Sequence, residues 1–359
     1  MKKAISLAKK ATGFTSPNPL VGALIVKNGN IIGKGYHKRY ATPHAEVIAL
    51  ANASESVEGA TMYVTLEPCC HYGNTPPCTE AIIKSGISTV IVGTSDPNPK
   101  VCGKGISLLQ KSGITVIQNI MQKECYDINK IFFHYIKTNT PYVTMKYAMT
   151  LDGKIATYTR ASKYITSKQA LHSVHLDRHV HSAIMVGVGT VLNDNPLLTC
   201  RIPNLVSPTR IICDTNLSTP LNSNVVTTAT QVDTIIATCV EDKSFYTKYV
   251  ENGVKIITIS KYNNRLNVRE LLKKLGTLGI DSILLEGGAT LNWSFLEASA
   301  VQKVKAYIAP KIFGGFGALS PVAGSGVELP SFAYKIKNTS VRKLGCDYLI
   351  QGDVIYETP

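Results

Sequence analysis

The sequence predicts two consecutive α/β domains. A chain of 359 residues exceeds the roughly 250 to 300 residues that one hydrophobic core usually serves. Short apolar runs alternate with helical patterns up to the turn pair Thr140-Pro141, and the alternation restarts after it. Alternating strands and helices indicate layered α/β folds. We therefore predict one domain over residues 1–140 and a second over residues 141–359.

The first domain is predicted to begin with a helix. Lys9 and Lys10 interrupt the apolar stretch near the start, where a signal peptide would keep an uninterrupted apolar core. Apolar runs bounded by turn residues then predict strands at 20–26, 61–66, 88–93 and 114–118. Helical patterns occupy 44–53, 77–85 and about 121–137.

The second domain repeats this alternation. Its predicted strands are 141–149, 183–191, 209–214, 232–239, 281–288 and 303–312. Its predicted helices are 167–180 and 291–299. No sequence repeat relates the two halves.

Composition and charge narrow the classes of partner. The chain is 44% hydrophobic and 17% charged, with a net charge of +14, which suits a globular protein that meets either nucleic acid or smaller anions such as phosphorylated substrates. The lysines are scattered, so we expect no nucleic-acid partner. No run approaches the roughly 18 apolar residues of a membrane span, so we expect no membrane partner. Nine cysteines without an export signal indicate a reducing, cytoplasmic location.

The most informative residues lie in PHAEV at 43–47 and EPCCHYGNTPPC at 67–78. His44, Cys69 and Cys78 offer one imidazole and two thiolates, a ligand set that suits Zn²⁺ and leaves one tetrahedral position open. Glu46 is not needed as a ligand. A glutamate so placed in zinc deaminases transfers protons to the leaving amine. The pattern predicts a catalytic zinc site.

The local sequence supports the convergence of His44, Cys69 and Cys78 on one metal ion. Pro43 predicts a helix that His44 opens, and Pro76-Pro77 predicts another helix start at Cys78. A helix N-terminus favours a thiolate. Cys69 follows a predicted strand, so the ligands can meet at the carboxyl ends of the strands.

A structural zinc site is the alternative interpretation. Such a site has four protein ligands, and Cys70 and His71 are the candidates for the fourth position. Adjacent cysteines fit a single zinc ion poorly, however. The presence of Glu46 beside the ligands favours catalysis.

The whole chain resembles the bifunctional riboflavin-pathway family, in which a diaminohydroxyphosphoribosylaminopyrimidine deaminase precedes a 5-amino-6-(5-phosphoribosylamino)uracil reductase. Cytidine-type deaminases generally have two residues between their cysteines, whereas this branch has the longer loop seen at 67–78. The first half also shares SPNPLVGALIV, GKGYH and DPNPKVCGKG. The second half shares MKYAMTLDGKIA, SKYIT, GVGTVLNDNPLLTCR, LEGGATL and APKIFGG, in that order.

The resemblance implies a cytidine-deaminase-like three-layer α/β domain followed by a dihydrofolate-reductase-like α/β domain. In the first, His44, Cys69 and Cys78 would hold one Zn²⁺ per chain and Glu46 would carry protons. Substrate contacts would come from Asn18, His37 and His71. Two departures bear on this site: Asn74 replaces the usual Lys or Arg, and Tyr40-Ala41 replaces a small Ala-Gly pair.

For the second domain the resemblance implies NADPH across the carboxyl ends of the sheet. No GxGxxG motif follows a strand, so a Rossmann fingerprint is not the basis. The implied cofactor contacts are Ala148, Tyr164 (in place of the usual Trp), Thr190, Asp194, Gly287, Gly288, Ala289, Thr290 and Leu291. The implied substrate contacts are Ser162, Arg178, Leu198, Arg201 and Glu286. Lys146 would lie near the reacting ribosyl carbon as a catalytic group.

Together these features predict hydrolytic deamination of 2,5-diamino-6-(5-phosphoribosylamino)pyrimidin-4-one, then NADPH-dependent reduction of its ribosyl group to ribityl. We expect a homo-oligomer, dimer or tetramer. A nucleic-acid-editing deaminase with an RNA-binding second half is the rival hypothesis, supported by the zinc motif and the net charge. A third possibility is a zinc-stabilised interaction domain, which requires Glu46 to be idle.

Overall fold

A computed structural model of the chain describes residues 1–72, 76–98, 101–163 and 165–356. The chain divides into two compact units, Met1–Asn139 and Thr140–Pro359. Each unit is described by itself below.

The described residues of the first unit form a five-stranded sheet and six α-helices. Its strands are β1 (Gly22–Lys27), β2 (Asn30–Tyr36), β3 (Thr61–Leu66), β4 (Thr89–Thr94) and β5 (Thr115–Ile117). Its helices are α1 (Lys2–Ala8), α2 (Ala45–Ala51), α3 (Cys78–Lys84), α4 (Lys104–Lys111), α5 (Gln122–Asp127) and α6 (Lys130–Thr138). The strand order is β2-β1-β3-β4-β5. The β3–β4 and β4–β5 pairs are parallel, so the chain leaves these strands at one edge.

Helices cover both faces of this sheet. On one face α1 lies so close to β1 that a Cβ at Gly22 would come within 2.1 Å of the Ala4 carbonyl oxygen. On the other face, side chains of α2, α3 and α4 join those of the strands in one buried cluster, including Ala49, Ile82, Leu109, Ile25 and Met62. The expected three-layer fold is confirmed.

The second unit is built on a nine-stranded sheet. Its strands are β6 (Tyr142–Thr150), β7 (Ala183–Gly187), β8 (Thr209–Cys213), β9 (Thr234–Thr238), β10 (Lys255–Thr258), β13 (Ser282–Leu285), β14 (Lys303–Ala309), β15 (Lys335–Leu344) and β16 (Asp347–Ile355). A separate hairpin pairs β11 (Lys261–Tyr262) with β12 (Arg265–Leu266). The sheet order is β10-β9-β8-β7-β13-β6-β14-β16-β15. The first seven strands run parallel, and the last two pair antiparallel.

In the part of this unit that the structure describes, six α-helices accompany the sheet. They are α7 (Lys168–Val180), α8 (Val188–Asp194), α9 (Asn224–Thr227), α10 (Thr247–Glu251), α11 (Val268–Thr277) and α12 (Ala289–Glu297). The largely parallel α/β architecture agrees with the expected reductase fold. Among the described residues, no helix is long and apolar enough to cross a membrane.

The structure differs from the sequence prediction in several elements, since α4, α9, α10, α11, β10, β11, β12, β15 and β16 were not predicted. The segment 121–137 forms two helices, α5 and α6, because Asn129 interrupts the helix and its side chain bonds to the backbone of Leu20. The run 183–191 is a strand only to Gly187 and then becomes α8, a distinction that apolar periodicity cannot make in short segments. Strand β2 was not predicted. Its Gly35 admits α2 so closely that a Cβ would lie 2.2 Å from the Ala45 carbonyl oxygen.

Candidate active sites

Three potential metal ligands converge in the first unit. His44 is the N-cap of α2, and Cys78 is the first residue of α3, so both predicted helix starts are confirmed. Cys69 lies three residues beyond β3. His44 Nδ1 lies 3.2 Å from Cys78 Sγ and 3.5 Å from Cys69 Sγ, and the three ligand atoms all lie within 4.8 Å of one another.

The chemistry of this donor set fits Zn²⁺. One imidazole nitrogen and two thiol sulfurs are ligands that zinc prefers. Hydrogen bonding from Cys78 and from His44 lowers the pKa of the Cys69 thiol, which favours the thiolate form that binds metal. Neither Cys70 nor His71 belongs to the cluster of ligand atoms, so the four-ligand structural alternative loses its candidates.

Glu46 lies beside the ligands and is almost fully buried, with 3% of its surface exposed. Its Oε2 atom has no hydrogen-bond partner among the described residues. Burial, assisted by the nearby Cys69, raises the pKa of this carboxyl to about 7. A buried carboxyl with an unbonded oxygen and a pKa near neutrality can both accept and release a proton.

The predicted substrate contacts line a cavity of about 330 Å³ beside the metal ligands and Glu46. Asn18, His37 and His71 line it together with His44, Glu46 and Cys69. His37 Nδ1 donates to the Pro43 carbonyl at 3.2 Å, and its Nε2 accepts from Asn18 Nδ2 at 3.2 Å. Burial lowers the His37 pKa, which matches this neutral form. The Asn18 amide is thereby oriented by its neighbour.

Sequence reasoning gave no role to the loop that forms another wall of this cavity. Asp96 and Asn98 line the cavity, as does Glu67. The Glu67 carboxylate accepts four backbone N–H groups, from Asp96, Gly103, Gly105 and Ile106, at 3.1 to 3.3 Å. Burial raises the pKa of Asp96 to about 6. The DPNPKVCGKG motif contains Asp96 and Asn98 and could have indicated them, but no function was predicted for its polar residues.

The Tyr40-Ala41 departure was expected to reshape the entrance of the site, and the Asn74 departure to affect a phosphate contact. Tyr40, Ala41 and Thr42 do line the cavity. Ala41 adopts a φ of +59°, a left-handed conformation that favours glycine. This backbone conformation explains the glycine in the family's usual Ala-Gly pair. Asn74 lies outside the described residues.

In the second unit, Glu286 joins two cations. Its carboxylate accepts from Arg178 Nε at 2.8 Å and Nη2 at 3.0 Å, and it lies 3.2 Å from Lys146 Nζ. Burial raises the pKa of Glu286, but the charges of Arg178 and Lys146 outweigh it and hold that pKa well below its usual range. Three of the predicted residues, from α7, β6 and the end of β13, therefore form one ionised cluster.

Two other predicted substrate residues occupy the segment after α8. Arg201 is exposed, and its backbone N–H donates to His175 Nδ1 at 3.3 Å. Leu198 is only 3% exposed and its side chain belongs to a hydrophobic cluster with Ile184 and Val186. Its backbone is thus the part available to a substrate.

A cavity of about 640 Å³ lies at the carboxyl ends of the parallel strands. The predicted residues that line it are Ser162, Thr190, Asp194, Gly288, Ala289, Thr290 and Leu291. Ser162 Oγ donates to Asp194 Oδ1 at 3.2 Å. Gly287 and Ala148 are not among its lining residues; Ala148 packs against Tyr307 and its neighbours instead. Tyr164 lies outside the described residues. The lining also includes Arg160, Thr215 and Arg265, which sequence reasoning missed.

The Glu286 cluster predicts an acid-sensitive stability of the second unit. Because folding depresses the Glu286 pKa, its stabilising effect is present above the unfolded pKa of about 4.3 and disappears as the pH falls below it. Glu286→Gln should therefore lower the free energy of unfolding by about 3 kcal/mol at pH 7, and the difference from wild type should shrink at acid pH. Urea denaturation followed by fluorescence of Trp293, the one tryptophan, measures this. Exposed Glu251→Gln is the matched control. An equal difference at both pH values would contradict the assignment.

Comparison with known proteins decides the family. Residues 141–350 match the RibD C-terminal domain, and residues 1–94 match the cytidine and deoxycytidylate deaminase zinc-binding region. The riboflavin biosynthesis protein RibD of Actinobacillus pleuropneumoniae is 48% identical over 355 residues, covering 99% of this chain and 94% of the relative. The chain belongs to the RibD family.

Further relatives of the RibD family agree over nearly the full length. The RibD protein of Aquifex aeolicus is 44% identical, covering 98% of this chain and 96% of the relative. A solved structure from Thermotoga maritima, described as a diaminohydroxyphosphoribosylaminopyrimidine deaminase/5-amino-6-(5-phosphoribosylamino)uracil reductase, is 37% identical with a TM-score of 0.87 and covers 99% of this chain and 97% of its own.

Family membership establishes the activity class. The chain is a bifunctional enzyme of riboflavin biosynthesis, with a zinc-binding deaminase domain followed by a reductase domain, and its cofactors are Zn²⁺ and NADPH. The match of residues 141–350 to a RibD domain leaves the hypothesis of an RNA-binding second half without support.

Proposed function

We propose that the first unit deaminates 2,5-diamino-6-(5-phosphoribosylamino)pyrimidin-4-one and that the second reduces the ribosyl group of the product to ribityl. The observation that carries the first half is the position of Glu46, buried and with an unbonded oxygen, in the cavity that His44 and Cys69 also line. The ion cluster around Glu286 carries the second half.

For deamination, His44, Cys69 and Cys78 would hold the metal. Zn²⁺, when bound, supplies Lewis-acid activation of water. Glu46 would accept a proton from the attacking water and donate it to the amine that leaves as ammonia, a role that its pKa of about 7 supports. Asn18, whose amide is oriented by His37, offers both an acceptor and a donor to the edge of the pyrimidine.

For reduction, NADPH supplies the hydride, and the protein supplies placement and charge. Lys146 Nζ holds a proton near the reacting ribosyl carbon, with Glu286 fixing its position. Arg178 has two of its donors on Glu286 and a third on the Thr199 carbonyl, so it mainly orients this cluster. Arg201 is exposed and is the better candidate for the substrate phosphate, which favours charge-assisted hydrogen bonds.

We also propose a homo-oligomer in the cytoplasm. Val341, Tyr348 and Ile350 are 63%, 45% and 39% exposed on the hairpin of β15 and β16, and Val341 is paired with Ile350. Exposed apolar side chains on one sheet face favour contact with a second copy. Among the described residues, no cysteine forms a disulfide, which suits a reducing compartment. Analytical ultracentrifugation of wild type and Val341→Lys tests the assembly.

The function is tested by incubating the chain with the phosphoribosylated diaminopyrimidinone while metal content, ammonia and NADPH are followed. One zinc per chain, ammonia release and then NADPH oxidation would support both halves. Zinc with ammonia but no NADPH oxidation would contradict the proposed second step. Release of ammonia from cytidine in preference to this substrate would contradict the proposed first step.

Arg201→Ala should raise the KM of the reduction by about 10-fold or more, because one charge-assisted contact with phosphate is lost. Ammonia release should remain at the wild-type rate, since Arg201 belongs to the other compact unit. Reduction of supplied deaminated intermediate, followed by NADPH absorbance, measures the effect. Equal loss of both activities would contradict the division of labour.

A further inference from the structure

The hairpin of β11 and β12 is held in a defined position beside the reductase cavity. Asn263 and Asn264 form its turn, with φ angles of +48° and +59°, as a two-residue type I′ turn requires. Leu266 is buried in the main hydrophobic cluster of the unit. Because side chains alternate along a strand, Arg265 points away from that core, and it is exposed.

Arg265 lines the large cavity and also a smaller adjoining one of about 280 Å³. Its Nη1 atom donates to Ser294 Oγ at 3.2 Å, and Ser294 Oγ donates in turn to the Thr290 carbonyl at 3.1 Å. Thr290 lies in the first turn of α12 and lines the same cavity. These hydrogen bonds connect the Arg265 guanidinium to α12, whose first residues are among the predicted cofactor contacts.

The position of Arg265 along the sheet indicates which part of a dinucleotide it would contact. The reacting end of the site is marked by Lys146 on β6 and Glu286 after β13, and the strand order continues to β7 and β8. Three strand spacings separate β6 from β8, or about 14 Å. Thr215, just beyond β8, lines the cavity together with Arg265. The hairpin of β11 and β12 directly follows β10, the edge strand on the far side of β8 from β6, so Arg265 lies toward the end of the cavity remote from the hydride acceptor. The adenosine half of an extended dinucleotide would lie at that end.

The charges of the cavity favour an anion at this end. Its described charged lining residues are Arg160, Arg265 and Asp194, and Asp194 accepts a hydrogen bond from Ser162. Arg265 forms no ion pair within 4.0 Å among the described residues. An arginine oriented by a hydroxyl and lacking a carboxylate partner can bind a phosphate through two parallel donors.

We propose that Arg265, oriented by Ser294, binds the 2′-phosphate of the adenosine ribose and makes the reductase select NADPH over NADH. The inference rests on the proposed reductase function of the second unit and adds the residue that sets its cofactor specificity. NADH carries a hydroxyl at this position, so it gains nothing from the guanidinium.

Calorimetric titration of the intact chain with NADP⁺, NAD⁺ and adenosine 2′,5′-bisphosphate tests the proposal without turnover. Arg265→Ala should weaken NADP⁺ and the bisphosphate by about 10- to 100-fold, the loss expected for one charge-assisted contact, and change NAD⁺ affinity less than about 2-fold. Arg265→Lys should retain part of the preference, because a point charge remains without the planar fork.

The controls separate a contact from general charge. Arg342→Ala removes one exposed positive charge from β15, at the opposite edge of the sheet, and should leave all three affinities unchanged. Unchanged NADP⁺ binding in Arg265→Ala, an equal loss for NAD⁺, or loss of the preference in Arg160→Ala instead would each overturn the assignment. If wild type binds neither dinucleotide, the proposed reductase function itself fails, which is a distinct result.

Discussion

Glu46→Gln should lower ammonia release by about 10²- to 10⁴-fold, the usual contribution of a general acid–base group. The amide keeps the shape of the side chain but cannot carry a proton between water and the leaving amine. Zinc content should stay at one per chain, because the ligand set of His44, Cys69 and Cys78 is untouched. Steady-state ammonia release and elemental analysis measure the two quantities.

The matched control for this variant is Glu55→Gln, which removes an exposed carboxylate of the same unit. It should keep wild-type ammonia release. Reduction of supplied intermediate should be normal in both variants. Full activity in Glu46→Gln would mean that Glu46 is idle, and the alternative of a zinc-stabilised interaction domain would then regain support.

Cys78→Ser should abolish zinc binding and lower ammonia release by roughly 10³-fold or more, since several kcal/mol of metal-derived stabilisation disappear. Cys78 is fully buried at the start of α3, so the first unit should also lose stability. The reductase should still turn over supplied intermediate, because its residues lie in the other unit.

Two comparisons distinguish metal loss from misfolding. Cys102→Ser alters an exposed cysteine and should retain zinc and activity. Removal of zinc from wild type with a chelator should reproduce the loss of ammonia release, and added Zn²⁺ should restore it. A full complement of zinc in Cys78→Ser would show that the ligand set is wrong.

The zinc cluster was predictable because its information is local. His44 and Cys78 each follow a proline and open a helix, and a histidine with two cysteines narrows the metal before any fold is known. Glu67 was not predictable in the same way. Its carboxylate acquires a role only when folding brings four backbone N–H groups around it, those of Asp96, Gly103, Gly105 and Ile106.

The second unit also contains both kinds of residue: some whose role could be predicted from the sequence and one whose role depends on the fold. The family resemblance, carried by motifs in a fixed order, implied much of the cavity lining, and the glycine-containing motifs among them lie at strand ends. Arg265 lies apart from every one of those motifs. A two-residue turn and the burial of Leu266 bring it to the cavity. No local sequence pattern predicts that Arg265 lines this cavity.

The division of the chain into two compact units has a consequence for cellular control. Every residue assigned a role in deamination lies in the first unit, and every residue assigned a role in reduction lies in the second. Because one polypeptide carries both, each translation event makes the two activities in equal number. Expression level can therefore scale the flux through both steps but cannot change their ratio, which only the rate constants of the two sites can set.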